Sequence, residues 1–403
     1  MIDETKKCIY CDEHKQSSEF SLEHIWPDAL GGDYLSEFWQ TRDVCGKCNS
    51  VSGVFVDGAF IKQHLVAAER MRDGLEYLSS ESSTETIPLG FCSTVQNIEA
   101  PDGEVVDFWV CAPGANVLHF RAKSEITFDT YVGGDPRRSS KRSKAGRVVV
   151  SFTTEEPFWI KVALRSIKRH FSKAQLFLEP SGSPDEHEGF SALSPKNPEH
   201  AFYLESVRKL YQHTDVGGQI HGQITLQLHA DARFLSKLAL AVGYKVFGQS
   251  FMTSDDARLH RRSFREADPL KREDLKIKGS GFLKENSSPE LSEFLKWPGA
   301  WQLLLQQVNG ALALVVTAPS GRIMVVQITD DRELLEQLDH DYREGKHWLV
   351  VPQVQKGVGP TPYPKYLAHI LGSQSLVELE ELAALRTDPS TLPSANIRFD
   401  VGT

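Results

Sequence analysis

The sequence predicts an α+β chain, and three observations carry that expectation. Short β-rich runs cluster between residues 87 and 180, and amphipathic helical stretches stand apart from them. The 2.0- and 3.6-residue periods alternate without the regular strand–helix rhythm of a doubly wound sheet. A compact polar segment rich in cysteine precedes both.

In chain order, residues 1–78 hold two C-x-x-C pairs and then a helical pattern in VFVDGAFIKQHLVAAERMRDGLEYL, where Phe60, Leu65, Ala68 and Met71 recur on one face. The polar stretch SSESSTET at 79–86 reads as a linker. FCSTVQNI, EVVDFWVCA, VLHFRA and RVVVSFT read as strands separated by APDG and APGAN turns. EEPFWIKVALRSIKRHFSKA reads as a helix with Pro157 early in it. ITLQLHA resembles a strand, and DARFLSKLALAVGYKVFG a helix capped by Asp231 and ended by Gly248. The charged stretch 268–289 marks a second boundary. ALALVVT-APSG-RIMVVQI beyond it is a hairpin, followed by helical DRELLEQLDHDYREG. The expected division is therefore 1–78, an α+β domain at 87–270 and a second at 285–403.

A net charge of −9 argues against a surface coated for constant nucleic-acid binding but leaves room for a local basic groove. No apolar run is long enough to span a membrane, and MIDETKK lacks the apolar core of a secretory signal, so the expected location is the cytoplasm. The dispersed tryptophans, Trp109, Trp159, Trp297, Trp301 and Trp348, read as core rather than as a stacking platform. The chain shows no phosphate-binding glycine loop and no nucleophile elbow.

Four of the six cysteines form the pairs Cys8/Cys11 and Cys45/Cys48. In a reducing compartment this spacing favours a metal over disulfides, redox pairs or unrelated thiols being the alternatives. Four thiolates close a tetrahedral Zn²⁺ shell and leave no position for water, so the zinc is structural. The 33 residues between Cys11 and Cys45 must then fold as a unit. Inside them lies FSLEHIWPDALGGD, with Glu23 and His24 adjacent just before Pro27 and Gly31-Gly32. Glu23 is a hard oxygen donor suited to Mg²⁺ or Mn²⁺, and a neutral His24 is suited to act as base. Strand neighbours face opposite ways, so both reach one site only where the strand ends.

CIYC, EHIWPDALGG and VCGKCN, in that order, resemble the zinc-stabilised branch of the HNH endonucleases. The resemblance covers residues 8–65. It implies an N-terminal ββα-metal zinc module followed by one or two mixed α+β domains, and metal-dependent hydrolysis of phosphodiesters, DNA before RNA. By the same resemblance His24 is the general base, and Glu23 and Asn49 hold the catalytic Mg²⁺ or Mn²⁺. Cys8, Cys11, Cys45 and Cys48 hold the structural Zn²⁺. Where the family carries its middle Asn this chain has Trp39, Gln40, Thr41 and Arg42, with Gln40 the candidate substitute. Asp57 reads as a helix cap ahead of a supporting metal or water contact.

RRSSKRSKAGR at 137–147 packs six basic residues without an acid. Arg137, Arg138, Lys141 and Arg142 could follow a nucleic-acid backbone or simply form a solvated loop. A small nuclease ahead of a long remainder suggests, by analogy, a defence effector whose later domains choose the target or receive an activating ligand or partner protein, with homo-oligomerisation open. The alternatives are a zinc module that binds nucleic acid or protein without cutting, and a nuclease directed at RNA or gated by a nucleotide.

Overall fold

The computed structural model describes residues 5–78, 86–95, 98–111, 114–123, 145–179, 189–212, 228–268, 271, 277–282 and 295–387. It is α+β, with two compact units. The first comprises 1–69 and 227–386, the second 70–226 and 387–403. Packing thus groups the chain differently from the expected boundaries at 78/87 and 270/285: the helices after residue 227 join the N-terminal module rather than the 87–180 sheet.

In the first unit, β1 (Thr5–Lys7) and β2 (His14–Gln16) form a small antiparallel ribbon, as do β3 (Phe20–His24) and β4 (Gln40–Cys45). A nearly continuous helical stretch follows: α1 (Gly46–Ser52), a π-helical segment (Gly53–Asp57) and α2 (Gly58–Ile61), then α3 (His64–Glu76), whose residues from Arg70 on belong to the second unit. Phe60, Leu65, Ala68 and Met71 are buried, as their spacing predicts.

Unit two holds the sheet order β10-β9-β8-β7-β6-β5: β5 (Gly90–Val95), β6 (Glu104–Cys111), β7 (Ala115–Ala122), β8 (Ala145–Phe152), β9 (Lys173–Leu178) and β10 (Ser191–Ala192). Pairing is antiparallel from β5 to β8 and parallel from β8 through β10, with α4 (Pro157–His170) carrying the chain across the sheet between β8 and β9. Pro157 opens α4, as expected, but the helix stops at His170, and Lys173 and Ala174, expected in it, begin β9. Trp109, Val117, Val148, Ile167 and Phe171 pack the core between sheet and helix. A further helix, α5 (Pro198–Gln212), places Tyr203 against Phe120.

The first unit resumes with α6 (Leu228–Phe247), α7 (Gln249–Met252) and α8 (Asp255–Arg265). Leu228 to Ala230, expected in a strand, are helical instead. Asp231 does not cap; its carboxylate accepts from Gln63 Nε2 at 2.9 Å and the Phe282 amide at 3.2 Å. Gly248, at φ 62°, ends α6 as expected. The sheet order β11-β14-β13-β12-β15-β16 completes this unit: β11 (Gly279–Ser280), β12 (Trp301–Val308), β13 (Ala311–Thr317), β14 (Ile323–Thr329), β15 (Lys346–Val351) and β16 (Lys356–Pro362), all antiparallel. The β13–β14 hairpin turns where APSG predicts. Asp331 and Asp339 cap α9 (Arg332–Glu336) and α10 (His340–Glu344), which replace the single helix expected there. The chain then forms α11 (Tyr363–Ile370) and α12 (Val377–Ala383). Among the described residues no helix is long and apolar enough to cross a membrane.

Helix α6 is the centre of the first unit. Phe234, Leu235, Leu238, Ala239, Leu240, Ala241 and Val242 are all fully buried. Phe234 stacks on Phe60 at 3.9 Å and meets Trp26, whose ring lies 5.5 Å from Trp301 of β12. The loop after β3 is sewn into the same core. Trp26 Nε1 donates to Leu30 O at 2.8 Å, and Trp348 Nε1 to Ser36 Oγ at 3.1 Å. Gly31 takes a left-handed φ of 90°, and a Cβ on Gly32 would sit 2.1 Å from Trp26 O, so the Gly-Gly pair is required by backbone packing. Trp109, Trp159, Trp297, Trp301 and Trp348 are buried, in keeping with the core reading.

His347 of β15 is buried and contacts Gln302 Oε1 at 3.1 Å, an oxygen that also accepts from Tyr366 at 2.9 Å. Burial pushes its imidazole down to about 3. The folded state therefore keeps His347 neutral where the unfolded chain, near its ordinary value of about 6.5, takes a proton. The stability contribution is present above pH ~6.5 and is lost as pH falls from there toward ~3, by up to ~1.4 kcal/mol per pH unit. Urea titrations from pH 7 to 4 are expected to show a shallower fall for His347→Gln than for wild type; equal slopes would rule this source out.

Candidate metal centre and hydrolytic site

The cysteines come from two tight turns. Cys8 and Cys11 lie in the β1–β2 connection, Cys45 ends β4 and Cys48 sits in the first turn of α1. Asp12 adopts φ 65° and donates its amide to Cys8 O at 2.8 Å, and the Cys45 amide donates to Cys8 Sγ at 3.3 Å. The four sulfurs all lie within 4.8 Å of one another. The Cys48 thiol and backbone amides hold Cys8 well below the ordinary thiol range, while Cys8 and burial push Cys48 up. One anion forms at its neighbours' expense, a conflict a divalent cation removes. The donor set fits Zn²⁺: four soft ligands from two turns, closed to water. Helix α8 grips this knuckle through Arg261, 3.2 Å from Asp12 Oδ1, and Arg265, which donates to Cys11 O.

At the end of β3, Glu23 and His24 part company. The His24 side chain is 25% exposed, its Nε2 2.6 Å from Asp33 Oδ1 in the loop beyond Gly31-Gly32. That carboxylate faces Nε2, and Nδ1 is the ring nitrogen left for another partner. Asp28 lies beside Asp33; burial and that neighbour raise its carboxyl. Gln40 is the ladder partner of His24, and its carbonyl accepts from Lys245 of α6.

Glu23 turns inward and is 2% exposed. Its Oε1 accepts from the Tyr10 hydroxyl at 3.1 Å and lies 2.8 Å from Lys237 Nζ of α6. The same ammonium donates to Asp57 Oδ2 at 2.6 Å and to His24 O at 3.2 Å. Burial pulls the Lys237 ammonium down, but Asp57 and Glu23 together hold it above its usual value. Burial pushes Asp57 up to about 6 against the pull of Lys237. Asp57 caps nothing: it lies in continuous helical backbone at the end of the π-helical segment, its carboxylate on Lys237. A wide turn of this kind redirects the side chains that follow it. Arg233, one turn before Lys237, donates to Phe55 O within that segment at 2.9 Å.

Asn49 does not join Glu23. Its amide nitrogen donates to Leu22 O and, at 3.0 Å, to Ser21 Oγ, where the β3–β4 register shifts. It pins α1 to the strand. Of the residues named from sequence for Mg²⁺ or Mn²⁺, Glu23 carries the Lys237 ammonium on Oε1, and Asn49 spends its amide nitrogen on β3. Arg137, Arg138, Lys141 and Arg142 lie outside the described residues. Lys237, Asp33, Tyr10 and Arg233 went unnoticed in the sequence. The one signal for Lys237 was a lone cation inside the apolar run FLSKLALAV.

Two paired ribbons, a cysteine tetrad with the geometry to hold zinc and a helix after the second ribbon make a small ββα-like module, with a partly exposed imidazole at the end of β3. Residues 8–65 match the family model described as HNH endonuclease. No curated protein and no solved structure matches the chain.

Proposed function

We propose that this chain hydrolyses phosphodiester bonds in nucleic acid, DNA rather than RNA, with His24 as general base. The observation that carries the reading is His24 itself: a partly exposed imidazole ending β3, its Nε2 facing Asp33 and its main chain fixed by Lys237, inside the segment matched to HNH endonucleases. Water bound at Nδ1 would give its proton to the ring, and Asp33 would steady the imidazolium formed. Mg²⁺ or Mn²⁺ is the cofactor expected of such an enzyme, but Glu23 already carries the Lys237 ammonium. Zn²⁺ holds the scaffold. The elements beyond the module would select the target or receive an activating ligand or partner, as in a cytoplasmic defence effector.

Plasmid cleavage with Mg²⁺ or Mn²⁺ tests the reading, with an RNA of matched length alongside. His24→Ala is expected to lose about 10²–10⁴-fold in rate. Asp33→Asn, which keeps the base but weakens its orientation, is expected to lose less. Equal rates for wild type and His24→Ala would end the assignment. The engagement of Glu23 by Lys237 favours a second reading, a zinc module that binds nucleic acid without cutting. Binding with no cleavage under either metal would support it.

A further inference from the structure

We propose that Lys237 is the resident cation of the module: its ammonium fills an oxygen cage of Glu23, Asp57 and the His24 carbonyl that would otherwise suit a hard divalent cation. Each ammonium proton has its own acceptor, at 2.8, 2.6 and 3.2 Å. Two carboxylates and a carbonyl, all oxygen, are the donor class that Mg²⁺ and Mn²⁺ select. Lys237 and Glu23 are almost completely enclosed, so the cage is not a surface ion pair open to exchange with water.

The cage is permanent rather than a latch. Withdrawing Lys237 would mean shifting a helix whose residues 234, 235 and 238–242 are fully buried, and whose Arg233 and Lys245 grip the module on either side of Lys237. A divalent cation entering beside a retained ammonium would meet like-charge repulsion at close range. Lys237 is thus a positioning residue: it fixes Glu23 and the main chain at His24, and Glu23 is not a ligand of the reaction's metal. The role in positioning His24 rests on the hydrolase reading; the cage itself does not.

Manganese binding to the zinc-loaded full chain, followed by titration calorimetry and by the electron paramagnetic resonance of free Mn²⁺, tests this. Wild type and Glu23→Gln are expected to give superimposable isotherms. Lys237→Ala is expected to gain one Mn²⁺ per chain, and Lys237→Ala with Glu23→Gln to lose it again. Wild-type Mn²⁺ binding abolished by Glu23→Gln would overturn the proposal, as would a folded Lys237→Ala that gains no site. Should Lys237→Ala not fold, the wild type and Glu23→Gln comparison decides alone. Neither readout depends on cutting, so a chain inert on every nucleic acid would remove the hydrolase reading and leave the cage standing.

Discussion

Exchange of Lys237 for Met is expected to cost about 3–5 kcal/mol of unfolding free energy, a large share of the total stability of an ordinary domain. Met keeps most of the aliphatic stem and its packing but removes the charge. Glu23 and Asp57 are then left as two buried carboxylates without a counterion among the described residues, and Tyr10 still donates to Glu23. The penalty comes from desolvated charge more than from lost attraction, because a buried pair offsets much of its own desolvation only while both partners are present. Adding Glu23→Gln and Asp57→Asn to Lys237→Met should therefore recover much of the loss, since three neutral groups replace one cation and two anions. Urea unfolding of the single, double and triple variants gives the coupling directly. A loss below ~1 kcal/mol for Lys237→Met would mean that the carboxylates reach water, as at exposed ion pairs, and that they are not caged.

Removal of zinc is expected to have the larger effect. Metal binding in small thiolate modules contributes roughly 10–16 kcal/mol of apparent folding free energy. Here Cys8, Cys11 and Cys45 are buried beside Ile9, Tyr10 and Val44, and Tyr10 packs on Phe264 at 4.8 Å. Without the cation four thiols are crowded together, and the turns at Cys8–Cys11 and Cys45–Cys48 lose what closes them. Elemental analysis is expected to find one zinc per chain. Chelation, or Cys45→Ser, should release it and expose residues 5–48 to hydrogen exchange. Strands β6–β8 of the second unit, which have their own core, should keep their protection. Unchanged exchange over 5–48 after zinc loss would mean that Arg261, Arg265 and the aromatic contacts hold the knuckle unaided.

Much of the fold was legible because its signals are local. Short β-rich runs between turn residues located β6, β7, β8 and the β13–β14 hairpin, and a 3.6-residue period located α4 and α6. Boundaries failed where tertiary packing overrode local preference. The α4 helix ended early so that Lys173–Leu178 could pair with β8, and Leu228–Ala230 joined α6. At the site, cysteine spacing foretold the convergence of four sulfurs, because C-x-x-C turns fix their own geometry over a few bonds. The adjacency of Glu23 and His24 was equally visible, but not what each would face.

The sequence by itself determined most of the elements of this protein, the cysteine tetrad suited to zinc and the imidazole at the end of β3, all properties set by residues close together in the chain. Only the tertiary structure decided that Glu23 turns inward onto Lys237 and that Asp57 meets the same ammonium instead of capping a helix. The physical reason is distance along the chain: Lys237 and Asp57 stand 180 residues apart. Their attraction exists only once α6 is buried against the module, and burial is what makes an unpaired charge there too costly to leave alone.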